Sequence, residues 1–191
     1  MPLLTHHAAA AFLQGCWLLV ALVWVVGLFG TKRSAETWSR LTWVSYFSSM
    51  AVTFALLAGR PEWDRSELLP RTPVLSSVGC GLGLAGGVVA IWARLTLGRN
   101  WSGSITYKED HRLVERGPYR WVRHPIYTGL LLMVLGTALV RGNRAAVLGL
   151  LLFLATHLWK LRREEALLRA HFPASFPAYR ARTKALLPFV F

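Results

Sequence analysis

The chain has 191 residues, 22 Lys and Arg against 9 Asp and Glu, a net charge of +13 and a hydrophobic fraction of 54%. That length makes one domain or a tight pair, and a mean hydropathy of +0.39 with nine tryptophans is too apolar for a disordered or ordinary soluble polypeptide. The basic residues fall between long apolar runs, the pattern of a membrane protein and not of a nucleic-acid binder, so no nucleic-acid partner is expected.

Residues 8–30 form the first apolar run, 23 residues without a charge. At about 1.5 Å per residue a helix of that length reaches roughly 34 Å, enough to cross a bilayer core. A signal peptide would want a basic residue ahead of the run and a small-residue cleavage site. Residues 1–7 hold no Lys or Arg, so a retained helix is expected. A second uncharged run covers 41–59 and a third covers 73–93. Two shorter runs follow, 126–140 and 145–159, separated by the turn Arg141-Gly142-Asn143-Arg144. Fifteen residues make only about 22 Å of helix, so this hairpin is either tilted or lengthened by its polar ends.

The fold expected is therefore an all-α, integral-membrane helical bundle of about five transmembrane helices. Residues 1–93 supply three helices, and 94–191 carry the hairpin and a C-terminal polar segment. With the N-terminus outside, the inner segments 31–40, 94–123 and 160–191 hold seventeen Lys and Arg, and the outer segments hold five. The positive-inside rule then places the C-terminus in the cytoplasm. Cys16 and Cys80 lie within apolar runs, where they offer neither a disulfide framework nor a zinc site.

Gly81-x-Gly83-x-x-Gly86 matches the dinucleotide fingerprint, but that motif works only between a strand and a helix N-terminus. Here it lies inside the third apolar run, where Gly79, Gly83 and Gly87 recur every four residues and read as a face for close helix packing.

Chemistry-bearing residues concentrate in the two inner basic segments. In the first, Gly117-Pro118 and His124-Pro125 bracket an aromatic and basic stretch. Pro125 suits the first turn of the fourth helix, which would hold His124 and Tyr127 at a positively polarised helix start. In the second, Lys160 and Glu164 share a helix face, and Glu165 is within reach of Arg169 or Arg162. A Glu pair beside a bilayer is placed to hold a cationic ligand. Phe172, Phe176 and Tyr179 form an aromatic run that is expected to pack back over the site.

Taken together these residues resemble the isoprenylcysteine carboxyl methyltransferase family, within a wider group of membrane methyltransferases that includes phospholipid N-methyltransferases. The resemblance covers about residues 94–191. It rests on Leu97 to Trp101, His111-x-Leu113-Val114, Gly117-x-Tyr119, Arg123-His124-Pro125-x-Tyr127-x-Gly129, Glu164-Glu165 and Phe172-x3-Phe176-x2-Tyr179. It implies S-adenosyl-L-methionine as methyl donor, bound on the cytoplasmic side. By position, the cofactor contacts would be His111, Arg112, Leu113, Val114, Tyr119, His124, Pro125, Ile126, Tyr127 and Glu164, with Ser104 near a position that is polar in relatives. No metal is implied.

Methyl transfer from a sulfonium is an in-line displacement whose main demand is alignment and exclusion of water. Glu164 suits an ammonium group, His111 or His124 a carboxylate, and Leu113 and Val114 an adenine. The acceptor would be a prenylated or other lipophilic molecule entering from among the membrane lipids. The resemblance implicates Lys160 in substrate binding, at a position where relatives carry Arg; the charge is kept and the planar fork is lost. A carboxylate acceptor needs only a cation to orient it, Lys160 or Arg182. An amine or thiol acceptor needs a base, Glu165 or a histidine. Two other readings fit parts of the pattern: a nicotinamide-dependent membrane reductase, and a non-enzymatic protein whose basic segments bind anionic lipid.

Overall fold

The computed structural model describes residues 5–29, 39–58, 64, 66–98, 101 and 113–187. Among the described residues six α-helices follow in order: α1 (His6–Leu28), α2 (Arg40–Ala58), α3 (Pro73–Leu97), α4 (Pro125–Arg141), α5 (Arg144–His171) and α6 (Phe176–Arg182), with a 3-10 turn at Gly117–Arg120 ahead of α4. Four of them, α1, α2, α3 and α5, are long and apolar enough to cross a membrane, and α4 is a shorter apolar helix.

Local sequence sets the helix ends. Thr5, Thr72 and Asn143 each accept a hydrogen bond from the backbone N–H three residues on, at 3.3, 3.2 and 3.0 Å. Pro73 and Pro125 open α3 and α4, where a missing N–H costs nothing. Gly142 ends α4 in the left-handed conformation at φ 65°, and its N–H returns to Ala138 O.

The short hairpin of the sequence reading resolves into two unequal arms. α5 is lengthened: it continues through its polar end to His171, 28 residues in all. α4 has 17 residues and still crosses the bundle. It begins beside the C-terminal end of α3, and at its far end Arg141 Nη2 donates to Ala58 O at the last residue of α2, 2.6 Å away.

α4 is the central helix, touching α1, α2, α3 and α5 and meeting α3 most extensively. That closeness comes from four glycines. A Cβ built on Gly79 or Gly86 of α3 would collide with the carbonyl oxygen of Gly136 or Gly129 of α4, and the reverse holds from α4. The packing stripe therefore runs through Gly79 and Gly86, two turns apart. Of the expected Gly79, Gly83, Gly87 face, Gly79 and Gly83 lie at close contacts, Gly83 against Leu13 of α1 and beside Gly136 of α4, whereas Gly87 has ordinary van der Waals space beside Val20 and Met133. A spacing of seven keeps both α3 glycines on one stripe against an antiparallel helix, whereas a strict spacing of four drifts around the axis.

α1 buries only Ala9, Leu13 and Val20, and α2 only Thr53 and Leu57. Their other faces expose Leu18, Leu22, Val26, Val44 and Phe47, as helices bathed in lipid do. At the end where α4 meets α5, Asp64 and residues 66–69 clasp the turn. Asp64 accepts from Ser66 N and from Ala145 N, at 3.0 and 2.6 Å, and Gly142 O accepts from Leu68 N and Leu69 N. At the opposite end Arg94 ties α1 to α3, donating to Gly27 O at 2.7 Å and Gly98 O at 3.0 Å beneath the Trp101 ring.

Candidate functional site

The end of the bundle defined by the C-terminus of α3, the N-terminus of α4 and the polar half of α5 gathers most of the residues singled out in the sequence. Ala93, Tyr119, Ile126, Tyr127 and Leu161 form one buried apolar cluster with Ala185 and Leu186, and Val114, Leu97 and Trp101 pack against it. Pro125 opens α4 there, and Leu113 is half-buried in the segment leading in.

At its polar edge, Tyr127 Oη donates to Glu164 Oε1 at 2.6 Å, joining residues 37 positions apart. His124 Nδ1 stands 3.5 Å from Glu164 Oε2, and its Nε2 stands 3.5 Å from Glu165 Oε1. The His124 ring stacks on Tyr127 with centroids 5.4 Å apart and planes 2° from parallel. Burial works against charge on His124, but hydrogen bonding and the charges of Glu164 and Glu165 outweigh it, and its pKa is raised above the ordinary histidine value.

Lys160, only 4% exposed, lies 4.0 Å from Glu164 Oε1. Its ammonium also sits over the rings of Tyr46 and Tyr127, at 4.7 and 5.5 Å. The expected Lys160 and Glu164 pair is present.

Glu165 behaves differently from the expectation. Instead of Arg162 or Arg169 on its own helix, it receives Arg123 Nε at 2.6 Å and stands 3.6 Å from Arg180 Nε. The reason is rotation: Glu165 faces the bundle and is buried, while Arg162 and Arg169 are exposed. Arg123 continues outward, with Nη1 donating to Thr183 O and its backbone N–H to Lys184 O at 2.8 Å. His124 N donates to Ala185 O at 3.0 Å, and Val122 pairs with Lys184 in an isolated parallel bridge. Thr128 Oγ1 adds a bond to Leu186 O at 2.7 Å. The segment 183–187 is thus strapped along the entry to α4.

The aromatic run does fold back. Phe176 and Tyr179 are buried, and Tyr179 Oη donates to Tyr119 O at 2.7 Å. Arg182 points elsewhere, pairing with Glu115 while its side chain stays 57% exposed. Of the two cations offered for an acceptor carboxylate, Lys160 is the one beside Glu164 and Tyr127. Ser104, His111 and Arg112 lie outside the described residues.

The sequence reading missed two residues that border this cluster, Tyr46 of α2 and His157 of α5. His157 is 4% exposed, stacks on Phe153 at 3.9 Å and meets the edges of Tyr46 and Tyr127 at 6.1 and 5.0 Å. Its Nδ1 lies 3.0 Å from Phe153 O; a carbonyl only accepts, so that nitrogen carries a proton. An ionisable side chain inside the apolar run 145–159 was the available signal.

The chain is similar to known proteins. The phospholipid methyltransferase family matches residues 74–175. A probable protein-S-isoprenylcysteine O-methyltransferase of Oryza sativa subsp. indica is 30% identical over 165 residues, covering 85% of each chain. The protein-S-isoprenylcysteine O-methyltransferase of Saccharomyces cerevisiae is 32% identical over 126 residues, 62% of this chain and 51% of that one. Among solved structures, the eukaryotic intramembrane Ras methyltransferase, an isoprenylcysteine carboxyl methyltransferase, superposes with a TM-score of 0.52 at 23% identity, over 82% of this chain and 55% of that one. The shared bundle and the sequence match over nearly the whole rice relative lead to one conclusion: the chain belongs to the isoprenylcysteine carboxyl methyltransferase family of integral-membrane methyltransferases.

Proposed function

We propose that the protein methylates the carboxylate of a lipophilic, prenylcysteine-like acceptor, with S-adenosyl-L-methionine as donor, at a site on the cytoplasmic face. The observation that carries this reading is the Tyr127 to Glu164 hydrogen bond of 2.6 Å, with His124 against both. It joins the two polar segments into one cup.

The donor set fits a zwitterionic nucleoside. Glu164, oriented by the Tyr127 hydroxyl, is a carboxylate for an ammonium group. His124, whose buried Nε2 lies 3.5 Å from Glu165 Oε1, brings a ring that favours positive charge toward a carboxylate. Val114, Tyr119 and Ile126 give an apolar wall for an adenine. When bound, S-adenosylmethionine would supply a sulfonium-bound methyl group for the acceptor's nucleophile to take, with S-adenosylhomocysteine leaving as the neutral thioether. The chain's part is to align and to keep water out. Phe176 and Tyr179 close the cup from the C-terminal side, and Lys160 orients the acceptor's carboxylate, which has no proton to lose. Glu165, held by Arg123 and Arg180, is not needed as a base in this scheme. The excess of Lys and Arg in segments 94–123 and 160–191 supports the cytoplasmic placement.

A phospholipid amine is the second reading, favoured by the family that matches residues 74–175. It requires a base, and Glu165 or a histidine would serve. Titrating the purified protein in detergent with S-adenosylhomocysteine tests the cofactor: saturable binding is expected, lost in Glu164→Ala and His124→Ala, with no binding of NADPH. Transfer of labelled methyl to N-acetyl-S-farnesylcysteine, phosphatidylethanolamine and a long-chain thiol then tests the acceptor. Labelling of the amine alone would replace the carboxylate reading.

A further inference from the structure

We propose that the acceptor enters from the lipid between the halves of α2 and α5 nearest the site, and that Tyr46 of α2, with Lys160, binds its anionic head group. This rests on the carboxylate reading above and adds to it a route and a residue on a helix that the sequence resemblance did not reach.

Three observations converge. α2 packs mainly through its C-terminal half. Its two buried residues, Thr53 and Leu57, lie toward its C-terminal end, where Gly149 of α5 allows close approach to Leu56, Leu57 and Thr53. Trp17 of α1 grips the same half through Phe54, with ring centroids 5.1 Å apart. From Arg40 to Met50, by contrast, no residue of α2 is buried. Leu41, Trp43, Val44 and Phe47 of that half are exposed, while Tyr46 reaches across to α5 and Met50, at its end, packs against the Leu57, Val134 and Phe153 cluster.

What it reaches is polar. On α5, His157 and Lys160 are each 4% exposed, on a helix whose next turn carries Glu164. Tyr46 covers the Lys160 ammonium at 4.7 Å and the edge of His157 at 6.1 Å. A buried cation beside lipid points to a ligand path, because taking it out of water is costly unless a partner of opposite charge balances it.

Charge selects the ligand. Among the described residues, Arg123, His124, Lys160 and Arg180 face two carboxylates, Glu164 and Glu165, so this cluster carries an excess of basic groups. An anionic head balances it and an ammonium head does not. Depth agrees: Lys160 directly follows the apolar run 145–159, the level at which a lipid-anchored molecule presents its polar end.

Tyr46→Phe keeps the ring and removes the hydroxyl. Its KM for N-acetyl-S-farnesylcysteine is expected to rise about tenfold, with S-adenosylhomocysteine affinity and kcat within about twofold, since a hydrogen bond to a charged group is at stake. An unchanged KM, or an equal loss of cofactor affinity, overturns the proposal. A second measurement uses the unaltered protein: a prenylcysteine carrying a diazirine on its isoprenoid chain should label residues 43–50 or 153–160. Labelling confined to α1, α3 or the outer half of α2 overturns the route. If the protein transfers no methyl to the prenylcysteine, the carboxylate reading fails on its own, and the labelling map still decides the route.

Discussion

Glu165 and Arg123 can be tested as a latch that holds the tail rather than as reacting groups. Their side chains are 11% and 8% exposed and meet at 2.6 Å, and Arg123 passes the constraint to Thr183 O. Removing one member of a buried ion pair costs about 3–5 kcal/mol, because the other is left uncompensated. Arg180 remains 3.6 Å from Glu165, so the lower end applies to Arg123→Met. About 3 kcal/mol corresponds to a factor of roughly 100 in the opening of segment 183–187, at about 1.4 kcal/mol per decade. Tryptic cleavage after Lys184 in detergent reads that opening directly and avoids relying on irreversible melts. Arg123→Met and Glu165→Leu should each accelerate cleavage by that order, and the double variant should cleave about as fast as either single one, a coupling of about 3 kcal/mol. Cleavage at the unaltered rate in both single variants, or strictly additive effects, would refute the latch. A Glu165→Gln variant with an ordered tail but abolished turnover would make Glu165 a reacting group instead.

Other outcomes are expected. Because the His124 pKa is raised by Glu164 and Glu165, the stability it contributes is full below the histidine's unfolded value and is lost as pH rises through its folded value; His124→Gln should flatten that alkaline slope in thermal unfolding followed across pH 5 to 9. Gly86→Leu should push α3 from α4 at the Gly129 carbonyl; overpacking costs about 1–3 kcal/mol or more, which a lowered melting temperature in detergent would register, while Gly81→Leu, with no neighbour within 4 Å, should not. The Asp64 pKa is lowered, first by its hydrogen bond from Ser66 and also by the Ala145 N–H and Arg144, so its contribution is present above the unfolded carboxylate value and disappears as pH falls through the folded one; Asp64→Asn should melt lower at neutral pH and show a weaker acid dependence.

The sequence and the tertiary structure divide the account along a physical line. Hydropathy, charge and turn chemistry are properties of neighbouring residues, so five apolar runs, the hairpin turn at Gly142-Asn143 and the start of α4 at Pro125 could be read in advance. The motifs around His124, Tyr127 and Glu164 were legible because their residue types and order resemble a known family. Which side chains meet across helices depends on rotation and register, and these follow from how all the helices pack together. Rotation turned Glu165 away from Arg162 and Arg169 toward Arg123, register put Gly86 rather than Gly87 at the close contact with α4, and the packing of α2 brought Tyr46 to Lys160. No local pattern encodes such contacts, since each is a choice among partners dozens of residues distant that only the assembled bundle makes.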